Sequence, residues 1–151
     1  MTRRTPRLAV RAIIVHDGRL LLVNAWPNGR SDLLCAPGGG VEPGSGLPDN
    51  LNREVYEETG LSIRVGAPCL VNEFHDPRSG FHQVEVFFRC TIVGSPSIDP
   101  NWSDIEKIVS EHYWVTQDEL RGLNVKPGSL VDVAFAQGSA ISYDALEQIV
   151  L

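Results

Sequence analysis

Three glutamates in the middle of the chain, Glu54, Glu57 and Glu58, have the spacing of a shared binding site. They stand at i, i+3 and i+4, so a helix with about 3.6 residues per turn places all three carboxylates on one face. Like charges at this spacing repel each other, and Arg53 can pair with Glu57 but not with the whole set. A hard divalent cation would offset the repulsion, because Mg²⁺ prefers carboxylate oxygens and substrate phosphates. A solvated acidic helix face is the alternative interpretation of the same pattern.

The helix that would carry these carboxylates is predicted over residues 47–59. Leu51 and Val55 belong to its apolar stripe, and Gly60 is its C-terminal stop. Glu58 falls beside that stripe on a helical wheel, where an unpaired carboxylate at the edge of the core would be unfavourable. The sequence therefore predicts a helix that packs on the domain and presents carboxylates at its rim.

A glycine-rich segment precedes this helix, with the sequences PGGG at 37–40 and PGSG at 43–46. So many Gly and Pro residues predict a loop without regular structure, whose backbone can approach a ligand closely. Carbonyl groups of such a loop can bind a cation, and its amides can bind phosphate oxygens. Together with the carboxylate helix, the loop predicts a metal-bridged diphosphate site.

The segment from Gly39 to Leu61 resembles the signature of the Nudix hydrolase family. That signature is a Gly, five residues, a Glu, seven residues, and then Arg-Glu-apolar-any-Glu-Glu-any-Gly-apolar. Gly39 and residues 53–61 match it at the same spacing, and the resemblance extends over about residues 8–122. One position departs, because Ser45 stands where the family has its first Glu. Serine can cap the helix or bond the loop backbone, but it cannot replace a charge.

The resemblance implies Mg²⁺-dependent hydrolysis of a diphosphate linkage in a nucleoside diphosphate joined to a second group, with Mn²⁺ as the alternative cofactor. Candidate substrates are nucleoside triphosphates, oxidised nucleotides, ADP-ribose and nucleotide sugars. Metal ligands would be Glu54, Glu57, Glu58 and the Gly39 carbonyl, and Arg53 would orient a helix carboxylate or the loop. An activated water would attack phosphorus while the cation neutralises the developing charge.

Two questions stay open at this point. The general base is Glu54, Glu106 or Glu111, with surface charge as the alternative for the last two. Glu85 lies in a predicted strand, and its alternation with apolar neighbours leaves either solvent or the cleft as its surroundings. Ser45 motivates a second function, a Nudix-fold nucleotide-binding or regulatory module with weak or no catalysis.

Substrate contacts are expected from the backbone of Gly38, Gly39 and Gly40 and from two side chains, Arg78 and Trp102. The arginine stands in a predicted turn and could contact a phosphate, whereas the indole stands in a polar loop and could stack on a base. Ordinary surface or rim packing is the alternative for both side chains.

The remaining patterns predict an α/β (α+β) chain with one domain over residues 1–151. Strands are predicted at 8–15, 19–25, 62–65, 69–74, 82–93 and 112–115, a short helix after the capping box at 116–119, a second long helix at 130–136 and a terminal helix at 143–150. The resemblance implies an αβα sandwich with a mixed sheet between helices.

Composition limits the functional classes. The chain is 42% hydrophobic and 21% charged, as in ordinary globular proteins, and a net charge of −6 disfavours nucleic acid as a partner. Residues 1–7 are expected to be a flexible tail, and the N-terminal arginines, Arg11 included, to be solvated. The pattern has no secretory signal, no membrane-spanning stretch and no cysteine framework, so a cytoplasmic monomer or homodimer that binds a small nucleotide is expected.

Overall fold

The structure, a computed structural model, describes residues 4–150. Its strands and helices, in chain order, are β1 (Arg7–His16), β2 (Arg19–Asn24), β3 (Leu34–Cys35), β4 (Gly38–Gly40), α1 (Leu47–Thr59), β5 (Ser62–Asp76), β6 (Phe81–Val93), β7 (His112–Val115), α2 (Gln117–Arg121), α3 (Leu130–Val133), β8 (Ser142–Tyr143) and β9 (Glu147–Gln148). No helix in the described part of the chain is long and apolar enough to span a membrane.

One mixed sheet contains these strands, in the order β3-β2-β1-β6-β5-β8. The central pair β1 and β6 is parallel, while β5 and β6 form a long antiparallel pair. Strand β4 joins the sheet through β1, β7 through β2, and β9 through β5. The predicted mixed sheet is therefore confirmed.

Helices pack on both faces of the sheet. Side chains of successive residues in β1 point to opposite faces, so neighbouring residues contact different helices. On one face, Leu51 and Val55 of α1 pack with a cluster that includes Ile14. On the other face, Ile13 belongs to a cluster that includes Leu120 of α2. This arrangement confirms the αβα sandwich, and it places α1 where its rim meets the glycine-rich segment.

Helix α1 has the predicted bounds, and its two ends differ in how they are closed. Gly60 adopts the left-handed conformation at φ 77°, and its N–H donates to the Tyr56 carbonyl at 2.8 Å. The N-cap is Gly46, and no side chain caps the N–H groups of the first turn. Ser45 therefore does not cap the helix, contrary to one role considered for it.

The substitution Gly60→Ala is expected to lower the free energy of unfolding by at least 2 kcal/mol, about twice the loss from backbone strain alone. A Cβ at Gly60 would lie 2.9 Å from the Trp102 ring, besides requiring the left-handed conformation. Gly44→Ala is the matched control, because Gly44 has φ 83° and a Cβ added there would meet no heavy atom within 4 Å. Urea unfolding of both variants measures the difference; equal losses would show that the Trp102 contact is not tight.

Three expectations about the first half of the chain were wrong. The glycine-rich segment is not wholly irregular, because its residues 38–40 form β4 and pair with β1. The strands predicted at 62–65 and 69–74 are one strand, which continues through register shifts around Pro68. Arg11 is not a solvated tail residue, since it lies within β1 and its guanidinium is largely buried. Residues 1–3 of the expected tail lie outside the described residues.

The C-terminal third departs most from the prediction. The long helix expected at 130–136 is the four-residue α3, and the terminal helix expected at 143–150 is replaced by β8 and β9. Both short strands run parallel to β5, whose open edge offers unpaired backbone groups. The Asp144 and Ile149 N–H groups donate to carbonyls of β5 at 2.9 Å, which a helix would not allow.

Candidate active site

Three carboxylates converge at the rim of α1. Glu54 and Glu57 come from the helix and Glu106 from the loop before β7, and their ligand oxygens lie within 4.8 Å of one another. Glu54 is buried, Glu57 is half-buried and Glu106 is exposed. The group, called here the carboxylate cluster, spans from the protein interior to solvent.

The loop that carries Glu106 is shaped by Asp104 and is tied to α1 by Trp102. Asp104 is buried, and its carboxylate accepts from the N–H groups of Glu106, Ile108 and Val109 at 2.9–3.2 Å. The Trp102 indole Nε1 donates to the Glu57 carbonyl at 2.9 Å. These contacts explain how a residue far away in the sequence is brought to the helix carboxylates.

Arg53 offsets only part of the negative charge of the cluster. Its Nη1 lies 3.0 Å from Glu54 Oε1 and 3.4 Å from Glu57 Oε2. Burial raises the pKa of Glu54, Arg53 opposes that shift, and the Glu106 carboxylate adds to it. Three converging carboxylates with one guanidinium fit a hard divalent cation such as Mg²⁺ or Mn²⁺, whose preferred ligands are oxygens.

Glu58 lies apart from the carboxylate cluster. It is buried, and its carboxylate accepts from the Gly38 N–H at 3.1 Å. Burial raises the pKa of Glu58 to about 8, against the lowering effects of Arg11 and of the Gly38 hydrogen bond. The Gly38 amide is therefore occupied by Glu58, although it was expected to bind phosphate. Ligation of a metal by Glu58 stays a prediction.

Gly39 lies directly beneath Glu54. A Cβ at this position would lie 2.5 Å from Glu54 Oε2, so only glycine leaves room for the carboxylate there. Gly38 and Gly39 line the same cavity as Glu54, whereas a Cβ on Gly40 would meet the Arg7 guanidinium. The contribution of a Gly39 carbonyl to a metal site stays a prediction.

Asn50 holds the segment in which Ser45 replaces the glutamate of the family signature. Its Nδ2 donates to the carbonyls of Ser45 and Gly46 at 3.1 and 2.7 Å, and its Oδ1 accepts from the Glu42 N–H at 2.9 Å. Arg53 Nη2 also donates to this oxygen, at 3.1 Å. Buried Asn50 thus links the segment to α1, while Ser45 itself is exposed.

A cavity of about 280 Å³ extends from the carboxylate cluster across the sheet face that bears Arg11. Glu54, Glu58 and Glu106 line it, and so do Phe74 and Phe81. The two phenyl rings lie 6.1 Å apart between centroids. One continuous cavity therefore joins the carboxylates to an aromatic wall.

The floor of the cavity contains a polar network centred on Glu85. Glu85 therefore faces the cleft and not solvent. The Glu85 carboxylate accepts from Arg11 Nε at 2.6 Å, from Asn72 Nδ2 at 3.1 Å and from Gln83 Nε2 at 3.1 Å. Burial alone would lower the pKa of Arg11, but Glu85, Cys35 and Glu58 raise it above its ordinary value. Arg11 therefore stays charged within the cavity floor.

Sequence reasoning missed Arg11, Asn72 and Gln83. Each is a polar residue inside a strand that otherwise looks buried, and that signal was available. The sequence did not show that these residues converge, because Asn72 meets Glu85 only through the β5–β6 register.

Six of the expected site residues do not line the cavity, and three of these, Glu111, Arg78 and Trp102, have side chains outside the carboxylate cluster and its ion pairs as well. Glu111 is exposed just before β7, and its N–H donates to Asn24 at 3.0 Å. Arg78 stands in an exposed turn, where it pairs with Asp76 at 3.2 Å. Trp102 packs on Gly60 and edge-on against Tyr56, with ring centroids 5.3 Å apart. None of the three is among the described residues that line the cavity.

The NUDIX domain family model matches residues 5–133. The chain is 32% identical over 89 residues to an ADP-ribose pyrophosphatase of Methanocaldococcus jannaschii, covering 59% of this chain and 53% of that protein. It is 34% identical over 124 residues to the NAD-capped RNA hydrolase NudC of Mycobacterium tuberculosis, covering 77% of this chain and 35% of that protein. The chain thus spans about half the length of the first relative and about a third of the second.

A NUDIX hydrolase structure from Nitrosomonas europaea superimposes with a TM-score of 0.66 and 28% identity, covering 79% of this chain and 78% of that one. An ADP-ribose pyrophosphatase from Streptococcus suis has the same fold, with a TM-score of 0.65, 22% identity and 93% and 100% coverage. The carboxylate helix, the glycine-rich segment and the sheet define a Nudix-type αβα protein, and the family match covers most of the chain. This protein belongs to the NUDIX domain family.

Proposed function

We propose that this protein is a pyrophosphohydrolase that uses Mg²⁺, or Mn²⁺, to cleave the diphosphate linkage of a nucleoside diphosphate joined to a second group. The single observation that carries the proposal is the carboxylate cluster, whose Glu54 and Glu106 line a cavity of about 280 Å³. Membership of the NUDIX family supports the same chemistry.

The substrate class best supported is a dinucleotide or a nucleotide sugar such as ADP-ribose. The M. jannaschii relative is named as an ADP-ribose pyrophosphatase, and the M. tuberculosis relative acts on an NAD cap, which contains a dinucleotide diphosphate. Both names describe substrates in which a diphosphate joins two organic groups. The aromatic wall beyond the cluster offers a place for one of those groups.

Glu54 and Glu57 would hold the cation, with the Glu106 carboxylate beside it. A Mg²⁺ or Mn²⁺ ion bound there would supply positive charge to the diphosphate oxygens and to the phosphorus under attack. Arg53 fixes the orientation of Glu54 through the 3.0 Å ion pair. Of the three candidates for the general base, Glu54 and Glu106 line the cavity, and exposed Glu106 has access to solvent water. We assign the proton-accepting role to Glu106 and leave Glu54 as a ligand.

The test is an assay of the purified protein with Mg²⁺ against ADP-ribose, NAD, nucleotide sugars, dinucleoside polyphosphates and nucleoside triphosphates. Products are resolved by chromatography, so that the cleaved bond is identified. Turnover of a substrate with two organic groups, with release of a nucleoside monophosphate, is the expected result. Absence of turnover across the panel, with Mg²⁺ or Mn²⁺, would refute the enzymatic proposal.

A nucleotide-binding or regulatory module is the second candidate, because Ser45 removes one carboxylate of the family signature. The contacts of Asn50 argue for the enzyme, since they hold the segment without that carboxylate. Tight nucleotide binding without turnover would favour the module.

Ser45→Glu is expected to change kcat and the Mg²⁺ concentration for half-activation by less than about threefold, because the Ser45 side chain is exposed and Asn50 already fixes the loop. Asn50→Ala is the informative partner, since it leaves the Glu42 N–H and two carbonyls without their buried partner. Its free energy of unfolding should fall by about 1–3 kcal/mol, and its kcat should fall as well. A large gain from Ser45→Glu would instead identify Ser45 as a true deficit.

A further inference from the structure

We infer that Asn72 is a specificity-determining residue, whose side-chain carbonyl accepts a hydrogen bond from an N–H group of the nucleobase. The inference rests on the proposed function, since it assigns the part of the cavity beside Asn72 to the nucleoside. Its basis is one buried polar atom that lacks a partner.

Asn72 Oδ1 is fully buried and has no hydrogen-bond partner among the described residues, and the residue itself is only 2% exposed. A buried carbonyl oxygen without a partner is unfavourable by about 1–3 kcal/mol, so native proteins rarely leave one. Asn72 lines the cavity. A donor on a ligand in that cavity would satisfy the oxygen.

Glu85 fixes which atom of the Asn72 amide is left unpaired. Asn72 and Glu85 face each other across the β5–β6 pair, and Asn72 Nδ2 donates to Glu85 Oε1 at 3.1 Å. Turning the amide over would place its carbonyl oxygen against the Glu85 carboxylate, where two acceptors repel. Arg11 and Gln83 donate to the other oxygen of Glu85, so this carboxylate cannot rotate without losing them. The network therefore presents an acceptor, not a donor.

The charges around Asn72 favour a neutral group over a phosphate. Arg11 is paired with Glu85 at 2.6 Å, and Lys126 with Glu147 at 3.4 Å. Arg7 Nη1 donates to Gln83 Oε1 at 2.8 Å. The cationic side chains that line the cavity thus already have acceptors among the described residues, and an acceptor such as Asn72 Oδ1 would repel phosphate oxygens.

The walls suit a flat aromatic ring. Phe74 and Phe81 line the cavity together with Trp26, whose Nε1 is a second buried polar atom without a partner among the residues described, in this case a donor. A nucleobase edge carries N–H donors beside ring-nitrogen or carbonyl acceptors, and its faces stack on aromatic side chains. A ribose has hydroxyl groups but no flat apolar face, so the base is the better match.

The test compares binding of AMP, GMP, CMP, UMP and ribose 5-phosphate to the intact protein in the presence of Mg²⁺, by isothermal titration calorimetry. These ligands contain no phosphoanhydride, so the measurement does not depend on turnover. At least one nucleoside monophosphate is expected to bind about tenfold or more tightly than ribose 5-phosphate. Asn72→Leu should reduce that margin about tenfold while leaving ribose 5-phosphate binding within about twofold. Asn124→Leu is the matched control, because Asn124 is exposed and lies outside the cavity lining.

A second measurement keeps the inference testable if Asn72→Leu folds poorly. The wild-type protein is titrated with AMP and with N6,N6-dimethyl-AMP, whose base has no N–H donor. If AMP binds more tightly than ribose 5-phosphate, dimethylation should abolish that difference in affinity. If a different nucleotide binds more tightly, the N-methylated form of that nucleotide is titrated instead. An unchanged margin in either measurement, or equal weakening of base-containing and base-free ligands, would overturn the inference. Lack of hydrolysis with the margin intact would refute the proposed function and leave the Asn72 assignment standing.

Discussion

Replacing Glu57 by Gln is expected to lower kcat roughly 10³-fold, equivalent to about 4 kcal/mol of lost transition-state stabilisation. Glu57 contributes one of the converging oxygens of the carboxylate cluster. The amide removes a negative charge and most of the affinity for a hard cation, while the side-chain shape stays the same. The Mg²⁺ concentration for half-activation should rise in parallel, which a titration of activity against Mg²⁺ measures directly.

The free energy of unfolding separates this loss from a folding defect. Without metal, Glu57 repels the neighbouring carboxylates and is only half-buried, so Glu57→Gln should leave the stability unchanged or slightly higher. An inactive variant that is at least as stable as the wild type would be the signature of a ligand. Activity within about fivefold of wild type at saturating Mg²⁺ would remove Glu57 from the proposed metal site.

Two further Glu→Gln variants distinguish the loop glutamates. Glu106→Gln should lose activity to a similar extent, because Glu106 belongs to the carboxylate cluster. Glu111→Gln should lose less than about twofold, because Glu111 is exposed and does not line the cavity. A larger loss of activity from Glu111→Gln than from Glu106→Gln would place the base at the start of β7 and would require the loop to move.

The site could be predicted from the sequence where its residues share one local element. Glu54, Glu57 and their helix follow from a spacing of about 3.6 residues per turn, and the end of α1 follows from Gly60. The capping box of α2 is present as predicted, with Thr116 accepting from the Glu119 N–H. In these cases the local pattern and the tertiary contacts favour the same structure.

Long-range pairing could not be read in this way. Residues 143–150 have no local signal for strands, and they adopt strands because the edge of β5 is open to them. The position of Glu106 beside Glu54 and Glu57 depends on Asp104, which shapes the loop, and on Trp102, which ties the loop to α1. Spacing along the chain carries no information about either contact.

The Arg11–Glu85 pair is expected to show the second large effect. Glu85→Leu would leave the Arg11 guanidinium largely buried without its carboxylate, and Arg11→Met would leave Glu85 without its guanidinium. Each single variant should lower the free energy of unfolding by about 3–5 kcal/mol, because an unpaired buried charge is strongly unfavourable. The double variant Arg11→Met/Glu85→Leu should recover part of that loss, since apolar residues of similar volume replace a buried pair with little penalty. The rest of the loss remains, because the Asn72 and Gln83 amides still lack the Glu85 acceptor.

Urea unfolding of the wild type, the two single variants and the double variant forms a complete cycle. The surface pair Arg121–Asp118 is the control, because both side chains are more than half exposed, and Arg121→Met should change the stability far less. Single variants that lose under about 1 kcal/mol would show that water reaches the pair.

The stable double variant then isolates the role of the pair in recognition. It keeps the fold but removes the carboxylate that orients Asn72, so the amide can turn and present its N–H₂ to the cavity. The margin between a nucleoside monophosphate and ribose 5-phosphate should therefore fall as it does in Asn72→Leu, while the Mg²⁺ requirement set by the carboxylate cluster stays unchanged. A double variant with an intact margin would mean that Asn72 is oriented by something other than Glu85.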